Sequence, residues 1–573
     1  MSYTITRGSI KPTPDIKPGL DHDGKQFILK PPYYPSTAVK ELAQAKWDAN
    51  RKIWLLPDLM IYAHTVLEMY PGLAITQKAV QRLERKSLIE KFSNFTGGVA
   101  AYKSVWTKLY TFQQEAVTRA VIDPRQCQQI VLSPGLGKTI VSLLAARMLG
   151  AKNVLVVAIK DLMPQWQEEE KKWFGKTTLR RLHGEAPEGT GWFVANYDTV
   201  VGRLNQVYCD HPWDVVIVDE SVLVANRKTR RFKRLLDLRH KVNRFWELSG
   251  SPVKKLPDDL WAQLHLLYPE DFRSYWRFAK RYCYTDETIW GIQLTQPRAD
   301  RNAAEDLKDV QFVRNQKDVL KDLPEAIPQL VPIQLEGAQL KAYQEMASGF
   351  VTKLESGKRI EAPIVLSQLI RLQQITSNLI NVSGPSDEPK KGTKYVDPND
   401  ISAKATALVD MLEARTFEFP ALIWTNWVPG AEALLKRLRH TAPELRIEWI
   451  HGASGKKEEE HNEQTFLDYK SGKVDVLVLA MPVGKFGHNL QVTRTAIYYD
   501  KVWMADDFVQ SMHRVIRIGL EHRPLVITLK AINTTDEMIE QNIAGKLVPI
   551  SQISNADLAA MLRALTGKSE EAN

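Results

Sequence analysis

Between residues 101 and 270, short apolar runs alternate with stretches whose apolar residues recur at helical spacing. The runs are Gln129–Leu132, Val154–Ala158, Trp192–Ala195, Val215–Val218 and Phe245–Leu248. Each is strand-length and largely apolar, the pattern of a strand covered on both faces. Strands of that kind separated by helices predict a parallel sheet with helices on either side. A second series begins near residue 400, with Ala421–Trp424, Arg446–Ile450, Val476–Leu479, Ala496–Tyr499 and Leu525–Leu529. The intervening 271–380 reads as mostly helical, and the polar, Pro/Gly-containing 381–400 as a loop. Ahead of both series, residues 25–95 carry two tryptophan-bearing runs around Trp47 and Trp54 and a helical pattern from Asp58 to Met69.

The expected plan is α/β: two parallel-sheet lobes over 101–270 and 401–550, with helical material over 271–400. A small α+β module over 25–95, a flexible lead-in over 1–24 and a tail over 551–573 complete it. At 573 residues the chain is long enough for several domains.

Composition narrows the class. Apolar content of 44% and charged content of 25% are those of a globular protein, and no apolar run is long enough to cross a bilayer. The start shows no apolar signal core, so an intracellular, cytoplasmic protein with no membrane partner is expected. Cys127, Cys209 and Cys283 lie far apart and form no CxxC pair, which argues against a disulfide framework or a zinc site. A net charge of +10 suits contact with nucleic acid.

The chemistry is concentrated in a few segments. Leu132-Ser133-Pro134-Gly135-Leu136-Gly137-Lys138-Thr139 joins an apolar strand to an apolar helix, the order a phosphate-binding loop requires. Backbone N–H groups around Gly135 and Gly137 would cradle phosphates, Lys138 would reach the β/γ-phosphates, and Thr139 would bind Mg²⁺. The strict spacing of such loops places a glycine where this chain has Leu132. Downstream, Val215-Val216-Ile217-Val218-Asp219-Glu220 is a buried-strand pattern ending in two carboxylates. Asp219 would hold Mg²⁺ and Glu220 would polarise an attacking water. Far along the chain, Arg514 and Arg517 stand three residues apart, a spacing that shares one face of a helix. Arginines supplied from a second domain stabilise charge on a transferring phosphoryl group.

Further segments fall around these in a consistent order. Leu109-Tyr110-Thr111-Phe112-Gln113, Leu162-Met163-Pro164-Gln165-Trp166, Leu248-Ser249-Gly250-Ser251-Pro252, Gly484-Lys485-Phe486-Gly487-His488-Asn489-Leu490 and Gln510 to Gly519 all lie in sequence order. Together with the loop and the Asp-Glu pair they resemble the motifs of the Swi/Snf-type branch of superfamily-two helicases, over roughly residues 101–545. The resemblance implies two RecA-like lobes, ATP and Mg²⁺ as cofactors, and translocation along duplex or forked DNA. It also implies adenine recognition by Gln113, a catalytic role for Gln510 beside Arg514 and Arg517, and nucleic-acid contacts at Ser249, Gly484, Gly487 and Asn489. The Ala45 to Pro57 segment resembles the HARP-like module of annealing helicases. This chain departs from the pattern at Val222, Ile159, His513, Ile516 and Asn315. Val222 stands where the family usually has a histidine that helps couple hydrolysis to motion.

The densest basic run, Arg227 to Arg234, follows the Asp-Glu pair, and Arg230, Arg231 and Lys233 are candidate phosphate contacts. Two further readings of the whole remain open at the level of sequence. One is a strand-separating helicase from another branch, and the other is an ATP-gated clamp on branched DNA that does not travel.

Overall fold

The structure is a computed structural model that describes residues 18–83, 98–319, 324–377, 402–543 and 561–563. Within those ranges it leaves out 33–36, 41, 43, 124–125, 255, 289–290, 356–361, 453–455, 482–488, 504 and 518. The expected loop 381–400 and most of the tail 551–573 lie outside the described residues. The chain divides into two compact units, Met1–Lys321 and Asp322–Asn573.

The first unit begins with a small sheet of β1 (Gly19–His22), β2 (Gln26–Lys30), β3 (Lys46–Asp48), β4 (Ile53–Pro57) and β5 (Ala74–Ile75), in the order β3-β4-β2-β1-β5. β1 therefore lies inside the segment read as a lead-in. Trp47 and Trp54 face each other across β3 and β4 with ring centroids 5.1 Å apart, a cross-strand aromatic pair. Helix Met60–Met69 packs against this sheet through Met60, Tyr62, Ala63 and Val66. The small sheet is tied to the rest of the unit by paired charges: Arg82 reaches Asp58 at 2.6 Å and Asp309 at 3.2 Å, and His64 meets Asp306 at 2.6 Å.

The main sheet of this unit comprises β6 (Cys127–Leu132), β7 (Val154–Ala158), β8 (Leu179–Leu182), β9 (Trp192–Asn196), β10 (Val215–Val218) and β11 (Phe245–Ser249). An antiparallel hairpin, β12 (Cys283–Thr288) with β13 (Gly291–Pro297), stands apart from it. A seventh strand, β14 (Gln311–Arg314), adds to the edge beside β6. The order is β14-β6-β11-β10-β7-β9-β8 with every pairing parallel. β6, β7, β10 and β11 are buried at every position, as the unbroken runs demanded.

The second unit has a six-stranded parallel sheet of β15 (Ile327–Ile333), β16 (Ala421–Thr425), β17 (Ile447–Ile450), β18 (Val476–Ala480), β19 (Thr495–Tyr498) and β20 (Leu525–Ala531). Its order is β15-β20-β19-β16-β18-β17. Helices Gly337–Glu355 and Ala362–Thr376 pack into the same unit through Tyr343, Phe350, Leu369 and Leu372 against Met538. The region between the two apolar series is thus more than helical, since it supplies one edge strand to each sheet and a hairpin. β15 carries Pro328 and Pro332, which argue against a strand until it is seen to pair on one side only, with β20. Among the described residues no helix is long and apolar enough to cross a membrane.

Candidate functional site

β6 ends at Leu132 and the chain turns through Gly135 and Gly137, with φ of 86° and 84°, into helix Lys138–Met148. Both values lie in the left-handed region, where glycine is the residue that carries no penalty. Gly137 is required for a second reason: a Cβ there would stand 2.5 Å from the side-chain nitrogen of Gln113. The N-terminus of this helix follows the loop directly, and its first N–H groups make a cradle suited to an anion.

Gln113 is almost fully buried, at 4% exposure, against that cradle. Its Nε2 donates to the Leu136 carbonyl at 2.9 Å, and its Oε1 accepts the Tyr110 N–H at 3.0 Å, closing a capping box on helix Thr111–Ile122. The Lys138 ammonium donates to the Leu132 carbonyl at 3.2 Å, and Thr139 is half-buried one residue on.

β10 delivers Asp219 and Glu220 to the same end of the sheet. The Asp219 carboxylate accepts the indole N–H of Trp166 at 3.1 Å and the Glu220 N–H at 3.0 Å. Burial pushes its pKa up to about 6, the neighbouring Glu220 adds to the rise, and Lys138 opposes it. Two crowded carboxylates beside one ammonium form a donor set suited to a divalent cation. Glu220 has φ 50° and ψ 54°, a left-handed conformation that costs a glutamate roughly 1–3 kcal/mol. The Tyr197 hydroxyl, buried beneath, donates to the Asp219 carbonyl and helps to hold this turn.

The loop Ser249 to Pro252 lies over the phosphate loop, since a Cβ on Gly250 would meet Pro134 at 3.0 Å and the Lys138 ammonium at 3.6 Å. Ser249 itself has no exposed surface, so its side chain does not face a nucleic acid.

Helix Arg230–Arg239 starts from the Thr229 cap and buries Phe232, Leu235 and Leu238. Arg230 and Lys233 are exposed, whereas Arg231 is half-buried, 3.2 Å from the Asp198 carboxylate and 5.5 Å from the Tyr197 ring centroid. The three basic residues thus do not form one equivalent set.

In the second unit, helix Ala505–Val515 holds Gln510, half-buried, and Arg514, which is 4% exposed. The helix ends before Arg517, so the pair does not share a helical face as the spacing suggested. The Arg517 carbonyl accepts from the Gln491 side chain at 3.4 Å, and Gly519 follows at φ 87°, a value that takes the chain out of helical geometry. Asn489 is bonded to Gln491 at 2.9 Å, while Gly484 and Gly487 lie outside the described residues.

Trp166, Tyr197 and Gln263 also bear on the site, and sequence reading gave them no role in it. Trp166 had a faint signal in the Leu162 to Trp166 run. Gln263 had one too, as a polar residue on the buried side of helix Asp259–Leu267.

Comparison with known proteins agrees with this layout. Residues 131–379 match the SNF2-related domain and residues 403–519 the helicase conserved C-terminal domain. The "DNA annealing helicase and endonuclease ZRANB3" of Mus musculus is 30% identical over 254 residues, covering 41% of this chain and 23% of that protein. The "SWI/SNF-related matrix-associated actin-dependent regulator of chromatin subfamily A-like protein 1" of Xenopus tropicalis is 24% identical over 469 residues, 78% of this chain and 45% of that protein. This chain spans less than half the length of either. The Sulfolobus solfataricus SWI2/SNF2 ATPase core in complex with dsDNA aligns over 81% of this chain and 96% of that one, at 20% identity and a TM-score of 0.36.

Proposed function

We propose that the chain, whose residues 131–379 match the SNF2-related domain and 403–519 the helicase conserved C-terminal domain, is an ATP-dependent translocase on double-stranded DNA that remodels DNA or protein–DNA structures. The observation that carries this reading is the convergence of Lys138, Asp219 and Glu220 at one end of the first sheet, beside a loop in which Gly137 leaves no room for a side chain. Lys138 and the loop N–H groups hold the phosphates of ATP, Thr139 and Asp219 hold Mg²⁺, and Glu220 orients the water that attacks. Gln113 sets the loop through its bond to the Leu136 carbonyl and reads the base. Arg514 and Arg517, with Gln510 beside them, supply charge to the transferring phosphoryl group from the second unit. Arg230 and Lys233, exposed on one helix, contact the DNA backbone, where charge gives affinity without sequence preference.

Fork remodelling or strand annealing is the finer reading. Its support is the Trp47–Trp54 hairpin in the N-terminal sheet and the likeness to a protein named an annealing helicase. An intracellular site of action goes with this function.

The test is steady-state ATP hydrolysis with duplex, single-stranded and forked DNA, with Lys138→Ala as the blank. Stimulation by duplex or fork that is lost in the variant is the expected result. Stimulation by single strands alone would replace the translocase with a strand-separating helicase. Duplex-stimulated hydrolysis without displacement of a third strand from triplex DNA would leave a stationary clamp.

A further inference from the structure

A row of polar side chains runs across the three strands at the β14 edge of the first sheet, at positions where apolar residues are the rule. Gln311, Gln129 and Glu247 are register partners on β14, β6 and β11. They are 6%, 0% and 0% exposed. Gln311 donates to the Gln129 side-chain oxygen at 2.5 Å, and Gln129 donates to Glu247 at 3.1 Å. The second proton of the Gln129 amide goes to Gln263 at 2.8 Å. Burying unpaired amides costs several kcal/mol, so the Gln129 amide, bonded at its oxygen and at both protons, is ordered by its partners.

Gln263 is where the row meets the site. Its Oε1 accepts from Gln129 and from the Ser221 hydroxyl, both at 2.8 Å. Its Nε2 donates to the carbonyls of Pro252 at 2.7 Å and Asp259 at 3.0 Å. Turning this amide over would break all four bonds, so its orientation is fixed. Ser221 directly follows the strained Glu220, and Pro252 closes the loop whose Gly250 lies against Lys138. Val222, the next residue, is buried and offers no side-chain hydrogen bond. The hydrogen-bonded side-chain link from the Glu220 turn to the 249–252 loop therefore runs through Ser221 and Gln263.

We propose that Gln263 is a positioning residue for hydrolysis: acting through Ser221, it holds the Glu220 carboxylate in register with the phosphate loop. The proposal rests on the ATPase reading above. It concerns orientation of the water-activating group and not nucleotide affinity, so its signature is a change in kcat with KM for ATP left in place.

The experiment uses the full chain with saturating duplex DNA and without DNA, comparing Ser221→Ala, Ser221→Thr, Gln263→Leu and the double variant Ser221→Ala/Gln263→Leu. Ser221→Ala is expected to lower kcat about tenfold with KM for ATP within about twofold, and Ser221→Thr, which keeps the hydroxyl, to restore most of it. The double variant should lose no more than the worse single one, because both remove the same link. A Ser221→Ala enzyme with kcat within about twofold of the parent overturns the proposal, as does a double variant whose loss is the product of the two. If Gln263→Leu fails to fold, the Ala/Thr pair at Ser221 decides the matter alone. A parent that binds a fluorescent ATP analogue without hydrolysing ATP overturns the ATPase reading and this proposal together. A hydrolysing parent with an indifferent Ser221→Ala overturns this proposal only.

Discussion

The two parallel sheets of this protein are built from similar strands, yet each buries polar groups of a different kind. The first holds uncharged amides, Gln311, Gln129 and Gln263, with a single carboxyl, Glu247, and the cluster ends at the turn that carries Glu220. The second holds an ionic cluster: Lys404 lies 2.7 Å from the Asp536 carboxylate and 3.8 Å from that of Asp500, with all three nearly inaccessible. Asp500 also accepts from Ser377, Thr425 and Asn426. That cluster joins helices Ala362–Thr376, Ala403–Glu413 and Thr535–Ile543 to the end of the sheet. The difference is one of role. Amides keep four directional bonds without a net charge and so fix the angle between loops, whereas ions in a dry site bind elements together and tolerate little else.

The comparison is broken most sharply by removing charge from each sheet in turn. In the first unit, Lys138→Ala should lower ATP turnover by about 10²–10³-fold while leaving the melting temperature near that of the parent. Rate and thermal melt measured on one preparation check both halves. In the second, Lys404→Met should leave Asp500 and Asp536 buried without their cation and destabilise the unit by about 3–5 kcal/mol. Chemical denaturation reads this directly, and a loss below about 1 kcal/mol would make the cluster no more than a surface-like pair.

Smaller effects sharpen the picture of the first unit. Changing Arg230 and Lys233 together to Ala should lower the slope of log affinity for duplex DNA against log salt by about 2, one per lost phosphate contact. Changing Arg231 should do less to the slope, because that side chain is already engaged by Asp198 and Tyr197.

Glu247 gives the smallest and most specific effect. Burial raises its pKa well above 4.5, so the folded chain keeps a proton that the unfolded chain releases. Its contribution to stability is therefore full below pH 4.5 and is lost as pH rises toward the folded-state value. Glu247→Gln removes that titration. It should melt about 2–4 °C above the parent at pH 8, with the gap closing as pH falls toward 4.5. A gap that does not change with pH would mean that Glu247 is ionised in the fold.

The strands of both sheets were readable because a run such as Val154–Ala158 or Val476–Ala480 is apolar at every position, and only a two-sided covering explains that. The turn that carries Gly135, Gly137, Lys138 and Thr139 was readable because its geometry is local, set within one turn of chain. Edge strands were not. β14 is polar at both ends and β15 contains two prolines, and each becomes a strand only by adding to a neighbour that sequence does not place beside it.

The same division runs through the site. Sequence by itself determined the two-sheet plan, the glycine-bearing turn from β6 into its helix and the Asp219-Glu220 pair at the end of β10, since backbone geometry and short spacing suffice for these. Tertiary structure decided that Arg517 falls beyond its helix, that Ser249 is buried, and that Trp166 bonds the Asp219 carboxylate, Tyr197 the Asp219 carbonyl and Gln263 the Ser221 hydroxyl. The contacts around the carboxylate turn join residues 22 to 53 positions apart along the chain: Tyr197 and Trp166 with Asp219, and Gln263 with Ser221. A hydrogen bond between distant residues leaves no periodicity to read; it exists only once packing has brought donor and acceptor within 3 Å or so of each other.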